Sequence, residues 1–196
     1  MLIKRFFDII ISAIALLLLS PLLLVVALLI CLDSKGDILF AQTRVGKGGE
    51  LFTMWKFRSM HIDAQEHKAL LINEMQGGIL FKMKNDPRVT GVGRIIRKFS
   101  IDELPQLWNV LIGNMSLVGP RPPLPSEVAQ YTPYQWQRLE VTPGITCIWQ
   151  VSGRSDIPFS QQVKMDLEYI ANQSFFYDII LLLKTIPAVL RTRGAY

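Results

Sequence analysis

Residues 9–32 carry no charged side chain, and Leu, Ile, Val and Ala fill most of those positions. A helix rises about 1.5 Å per residue and crosses a bilayer core in roughly 20 residues, so this run is long enough to cross as one straight helix. Ser20-Pro21 stands at its middle. Proline cannot donate to the Leu17 carbonyl and crowds that turn, which predicts a bend. The Ser20 hydroxyl is placed to satisfy a freed carbonyl, making such a break tolerable in lipid. Basic residues stand at both ends, Lys4 and Arg5 before the run and Lys35, Arg44 and Lys47 after it. Lys and Arg mark cytoplasmic flanks, so a bent helix that enters and leaves by one leaflet satisfies both ends. Each half, about 12 residues or 18 Å, is too short to cross alone. A signal anchor crossing once fits the same pattern. A cleaved signal peptide fits less well, because the run is long and no A-x-A site follows.

Beyond this run the periodicity changes. Residues 33–57 predict a hairpin whose β-prone arms, Ile38-Leu39-Phe40 and Leu51-Phe52-Thr53-Met54-Trp55, flank Gly46-Lys47-Gly48-Gly49. That Gly-rich turn lacks the P-loop pattern and reads as a simple turn. Residues 61–76 predict an amphipathic helix ending at Gly77-Gly78, and residues 86–91 a loop. Residues 92–99 place Arg94, Arg97 and Lys98 at helical spacing on one side. Such a stripe is either a solvated or headgroup-facing surface or a phosphate site, since arginine grips phosphate through two parallel hydrogen bonds. Helices are also expected near 104–111 and 163–170, with turn-rich, ordered stretches at 113–123 and 142–154. Residues 175–190 mix Phe, Ile and Leu with Asp178 and Lys184 and are interrupted by Pro187. A core helix or one lying on a membrane surface fits them better than a span. No internal repeat or low-complexity linker occurs. The pattern predicts an α+β chain, mainly helical with a small β-hairpin. It has a membrane helix over residues 1–34 and one membrane-associated domain over residues 35–196.

Composition narrows the partners. The chain is 50% hydrophobic and 19% charged, with a mean hydropathy of +0.29. It is too apolar for an ordinary soluble domain and too charged for a multi-span membrane protein. A net charge of +5 suits anionic lipid or phosphorylated substrates. No basic arm, zinc-finger spacing or RNP-like motif points to nucleic acid, so no nucleic-acid partner is expected. The two cysteines, Cys31 and Cys147, make no disulfide framework and favour a reducing compartment. His61 and His67 lack neighbouring ligands for a metal site.

The segment richest in chemistry is Arg97-Lys98-Phe99-Ser100-Ile101-Asp102-Glu103-Leu104-Pro105-Gln106. One reading makes Ser100-x-x-Glu103 a capping box with Asp102 favoured by the helix dipole. Pro105 weakens it, because it would then sit at the fifth helical position, where its missing N–H is normally bonded. With Asp102 as N-cap, Pro105 falls at the third position, where no intrahelical bond is lost. Both placements put the carboxylates at the positive end of a helix beside Arg97, a setting suited to phosphate chemistry. There a carboxylate can attack phosphorus and form an acyl phosphate, with a divalent ion offsetting its repulsion from a diphosphate.

At this point the chain resembles the small monotopic phosphoglycosyl transferases, the bacterial sugar transferases. The ordered motifs are Lys4-Arg5-Phe6-Phe7-Asp8, Ser20-Pro21, Gln42-Thr43-Arg44-Val45-Gly46 and Lys56-Phe57-Arg58-Ser59-Met60. They continue with Ser100-Ile101-Asp102-Glu103-Leu104-Pro105-Gln106, Gly113-Asn114-Met115-Ser116-Leu117-Val118-Gly119-Pro120-Arg121-Pro122, Pro143-Gly144-Ile145-Thr146 and Trp149-Gln150-Val151-Ser152-Gly153-Arg154. The resemblance covers nearly the whole chain. It implies a re-entrant helix broken at Ser20-Pro21, interfacial amphipathic helices, and a catalytic domain on the cytoplasmic face of the bacterial inner membrane. It also implies a ping-pong, Mg²⁺-dependent reaction with UDP-sugar and undecaprenyl phosphate as substrates. Asp102 attacks the β-phosphate and releases UMP, and Glu103 holds metal with Asp102 or assists the second step. Arg97 is expected on phosphate. Arg121, Lys56, Arg58 and Arg154 match basic motif positions assigned to substrate or lipid headgroup. The resemblance leans to the branch that starts exopolysaccharide or O-antigen repeats from UDP-galactose or UDP-glucose. A homodimer is compatible with it. Cys147-Ile148 departs from the usual Gly followed by an apolar residue.

Overall fold

The computed structural model describes residues 2–64, 83 and 86–191. Helix α1, Leu2–Asp33, contains Pro21 within it, so the proline does not end the helix. The Leu17 carbonyl that proline leaves unpaired accepts the Ser20 hydroxyl at 2.8 Å. One face of α1 is covered along its length. Phe7, Ile11, Ala15 and Leu16 pack on the main core, and Val26 and Ile30 are buried in a second cluster. The opposite face is apolar and open, with Leu17, Leu18 and Leu24 each above 70% exposed.

The hairpin forms as the alternation predicts. Strands β1, Leu39–Val45, and β2, Leu51–Phe57, pair antiparallel from Leu39↔Phe57 to Val45↔Leu51. Their turn passes through Gly48 and Gly49 at φ +66° and +89°, where a side chain would be strained. Arg58 follows β2 and donates to the carbonyls of Ser34 and Lys35, fastening the exit of α1.

Helix α2, Gly91–Lys98, starts at Thr90, whose hydroxyl accepts the Gly93 amide at 2.9 Å. Helix α3 spans Gln106–Ile112. The stretch at 113–123 is more than turns: Ser116–Val118 forms strand β3, paired in parallel with β4, Gly144–Thr146. A Cβ at Gly144 would lie 2.0 Å from the Gly119 nitrogen, so only glycine allows this approach. Strands this short carry no periodic signal, which is why only turns were expected. Short helices α4, Pro125–Val128, and α5, Pro133–Trp136, lie between the two strands. Helix α6, Ile148–Ser152, corrects the expected loop at 142–154.

Helices α7, Phe159–Ala171, and α8, Phe175–Arg191, complete the described fold. Helix α8 runs through Pro187 instead of stopping there. Met54, Leu107, Val110, Met115, Leu117, Val118, Tyr169 and Leu181 form the main core. Most of the helix expected at 61–76, with His67, lies outside the described residues.

Candidate active site

After α2 the backbone turns sharply at Ser100, whose φ of +55° is left-handed. That conformation costs a non-glycine residue roughly 1–2 kcal/mol and is the kind of strain held at functional sites. A single 3₁₀ turn, Ile101–Glu103, then carries the chain through Pro105 into α3. Ser100 makes no side-chain cap bond. Glu103 does not reach back to it either, and its Oε1 accepts Lys56 Nζ and Arg121 Nη2, each at 2.7 Å. The capping box is therefore not what this segment forms.

Asp102 and Glu103 are adjacent yet electrostatically unlike. Asp102 is only 6% exposed, and no described group hydrogen-bonds its carboxylate. Burial pushes its pKa up to about 6, with Glu103 adding to the rise while Lys56, Arg97 and Arg121 oppose it. Burial would raise Glu103 as well, but the charges and hydrogen bonds of Arg121 and Lys56 hold it well below the usual carboxylate range. Burial lowers the Lys56 pKa, and the Glu103 charge opposes this only in part. The pair thus divides into a fixed anion and a partly strained, unengaged one.

Both residues open onto a cavity of about 840 Å³. Lys56, Arg97, Arg121 and Arg154 line it with them, and the charge of each acts on Asp102 or Glu103. Arg97 comes from the last turn of α2, and Arg154 is held at φ +52° after α6. Arg58 also borders the cavity, but its terminal nitrogens are occupied by the Ser34 and Lys35 carbonyls. Ser20 and Pro21 stand apart in α1.

Two cavity residues were missed. Arg44 donates to Gln42 Oε1 and, at 3.0 Å, to the Pro122 carbonyl. Burial, then Arg121, brings its pKa down to about 10. Strand alternation puts Gln42 and Arg44 on one face, a signal that was available. Arg138 bonds Asp166 at 2.6–2.7 Å in a buried pair, which nothing in the local sequence announces.

Among the described residues no group of three His, Cys, Asp or Glu gathers to hold a metal. The donors that do gather are the unbonded Asp102 carboxylate and Glu103 Oε2, which takes neither of the Glu103 bonds. Mg²⁺ is commonly held by one or two carboxylates with water and substrate phosphate, so these residues fit it.

The sequence model described as "Bacterial sugar transferase" matches residues 1–192. The chain belongs to the bacterial sugar transferase family. Within it, the chain is 46% identical to the undecaprenyl-phosphate galactose phosphotransferase of Salmonella typhimurium and 45% identical to the galactosyl transferase CpsE of Streptococcus agalactiae. Each alignment covers 98% of this chain but only 41% and 43% of those proteins, so the chain spans less than half their length. The exopolysaccharide production protein ExoY of Rhizobium meliloti is 40% identical, over 98% of this chain and 88% of its own.

Proposed function

We propose that this family member transfers a sugar 1-phosphate from a UDP-sugar to undecaprenyl phosphate and releases UMP. The observation that carries the proposal is the Asp102 carboxylate, buried in a basic cavity without a hydrogen-bond partner among the described residues. An Asp102 oxygen attacks the β-phosphorus, the bond to the bridging oxygen breaks, and that oxygen leaves with UMP. An oxygen of undecaprenyl phosphate then attacks the same phosphorus, and the acyl phosphate bond breaks to restore the carboxylate. Lys56, Arg97, Arg121 and Arg154 offset the charge of the phosphates. Glu103 keeps Lys56 and Arg121 in place. Mg²⁺, held by Asp102 and Glu103 Oε2, would supply charge neutralisation for the diphosphate.

The proposed donor is UDP-galactose or UDP-glucose. Galactose appears in the name of the Salmonella relative, and a relative from Komagataeibacter xylinus is named undecaprenyl-phosphate glucose phosphotransferase. The proposed place is the cytoplasmic face of the inner membrane, with α1 entering and leaving one leaflet. Support for that topology is the docking of both ends of α1 on one domain. Lys4 bonds Asp178 and Asp33 accepts the Val92 amide. A helix crossing the bilayer would put these two contacts on opposite sides of a hydrocarbon core about 30 Å thick.

The test supplies purified protein with a panel of UDP-sugars, undecaprenyl phosphate and Mg²⁺, and measures UMP. Parent protein is expected to release it with one donor preferred, and Asp102→Asn to release none while still folded. Full turnover by folded Asp102→Asn refutes the proposal.

A further inference from the structure

The chain between Glu103 and its partner Arg121 is made of α3, a tight turn and β3, and the first turns of α1 hold that connection from outside. Arg5 donates to the carbonyls of Val110 and Leu111 at 2.5 and 2.7 Å, capping the end of α3. Among the described residues, the one strand partner of β3 is β4. On its other side, side chains of α1 take the place of a missing strand. Asp8 accepts the Leu117 amide at 3.1 Å and the Ser116 hydroxyl at 2.8 Å. Lys4 donates to the Val118 carbonyl at 3.0 Å. Asp8 is 4% exposed, so its carboxyl oxygens depend on these donors for hydrogen bonds.

Three residues past Val118 the chain reaches Arg121, which meets Glu103 at 2.7 Å. We propose that Asp8 is a positioning residue: it fixes β3 so that Arg121 lies where it holds Glu103 beside Asp102. The membrane helix is then part of the active-site scaffold as well as an anchor. The inference rests on the covalent reading above. A displacement of about 1 Å at a reacting centre costs on the order of a hundredfold in rate, so a small slip of β3 suffices.

The test is the single-turnover release of UMP from UDP-sugar without acceptor, in which amplitude counts intact sites and the rate constant reports their geometry. Asp8→Ala is expected to keep the parental amplitude with a rate constant lower by about tenfold or more. Asp8→Asn retains an oxygen for the Leu117 amide and offers its own amide to the Ser116 oxygen, so it is expected to recover most of that rate. An amplitude that falls with an unchanged rate constant shows a merely structural role and overturns the proposal. A parental rate in Asp8→Ala overturns it too.

Should Asp8→Ala not fold, Ser116→Ala, which removes one of the two donors, decides by the same criteria with a smaller slowing. If parent protein gives no burst yet turns over with acceptor, the covalent reading fails separately. The criterion is then a fall in kcat at constant KM for the donor.

Discussion

Asp102→Asn separates the strain in the site from its chemistry. The Asp102 pKa stands at about 6 against an ordinary value of 3.8, with burial as the leading cause. Ionising it in the folded protein therefore costs on the order of 3 kcal/mol more than in the unfolded chain. The sign follows from the raised pKa. Below about pH 4 both states are protonated and nothing is lost. Between pH 4 and 6 the unfolded chain ionises first, and above pH 6 the full cost is present. Asparagine removes the charge but still buries an amide, so the expected gain at pH 7.5 is about 1–3 kcal/mol. At roughly 2–4 °C per kcal/mol for a chain of this size, the unfolding midpoint should rise by about 2–12 °C. The assay is thermal unfolding in detergent, with chelator present, from pH 4 to pH 8. The gain should vanish at the acid end and level off above pH 6. Added Mg²⁺ should raise the midpoint of the parent and leave the variant nearly unmoved. A variant less stable than the parent at pH 7.5, or a gain constant with pH, refutes the reasoning, because the carboxylate would then be satisfied in the fold.

UMP release should fall as pH drops through about 6, since the attacking carboxylate must be ionised; a single-turnover profile flat between pH 5 and 7 contradicts this. Glu103→Gln leaves Lys56 and Arg121 without their anion and should destabilise by about 2–4 kcal/mol in chemical unfolding, whereas a change below about 0.5 kcal/mol counts against that pairing. Gly144→Ala drives a methyl group into the Gly119 backbone, which should cost about 2–3 kcal/mol and slow UMP release. Wild-type stability there would mean that the strands separate freely. In a Cys31→Ser background, Leu2→Cys and Asp37→Cys should both label from the cytoplasmic side of sealed vesicles, and labelling of residue 2 from the opposite side excludes the re-entrant path.

The elements with a strong local period were legible: the apolar helix, the hairpin and the amphipathic run of α2. The Asp102-Glu103 pair stood out as a candidate in the sequence, but its cap reading fell to a residue whose backbone sign no sequence displays, Ser100. What escaped was set by distant partners. Lys4 and Arg5 read as flanking charges, and they point into the protein instead, toward residues 105 to 174 positions away. Arg58 was read as a substrate contact, although its nearest partners are the carbonyls at the end of α1. Arg138 and Asp166 find each other only once α7 folds back.

Lys4 touches Asp178, so the first turn of the chain meets a residue that the ribosome adds 174 residues later. At about 5–20 residues per second that interval is on the order of 10–40 s. Throughout it the greasy N-terminal rod lacks the Asp178 part of its seat, and for roughly the first two-thirds β3 has yet to be made. Lipid is the environment that can shelter that rod while it waits. Production without membrane should therefore yield aggregate in place of a soluble, half-assembled form.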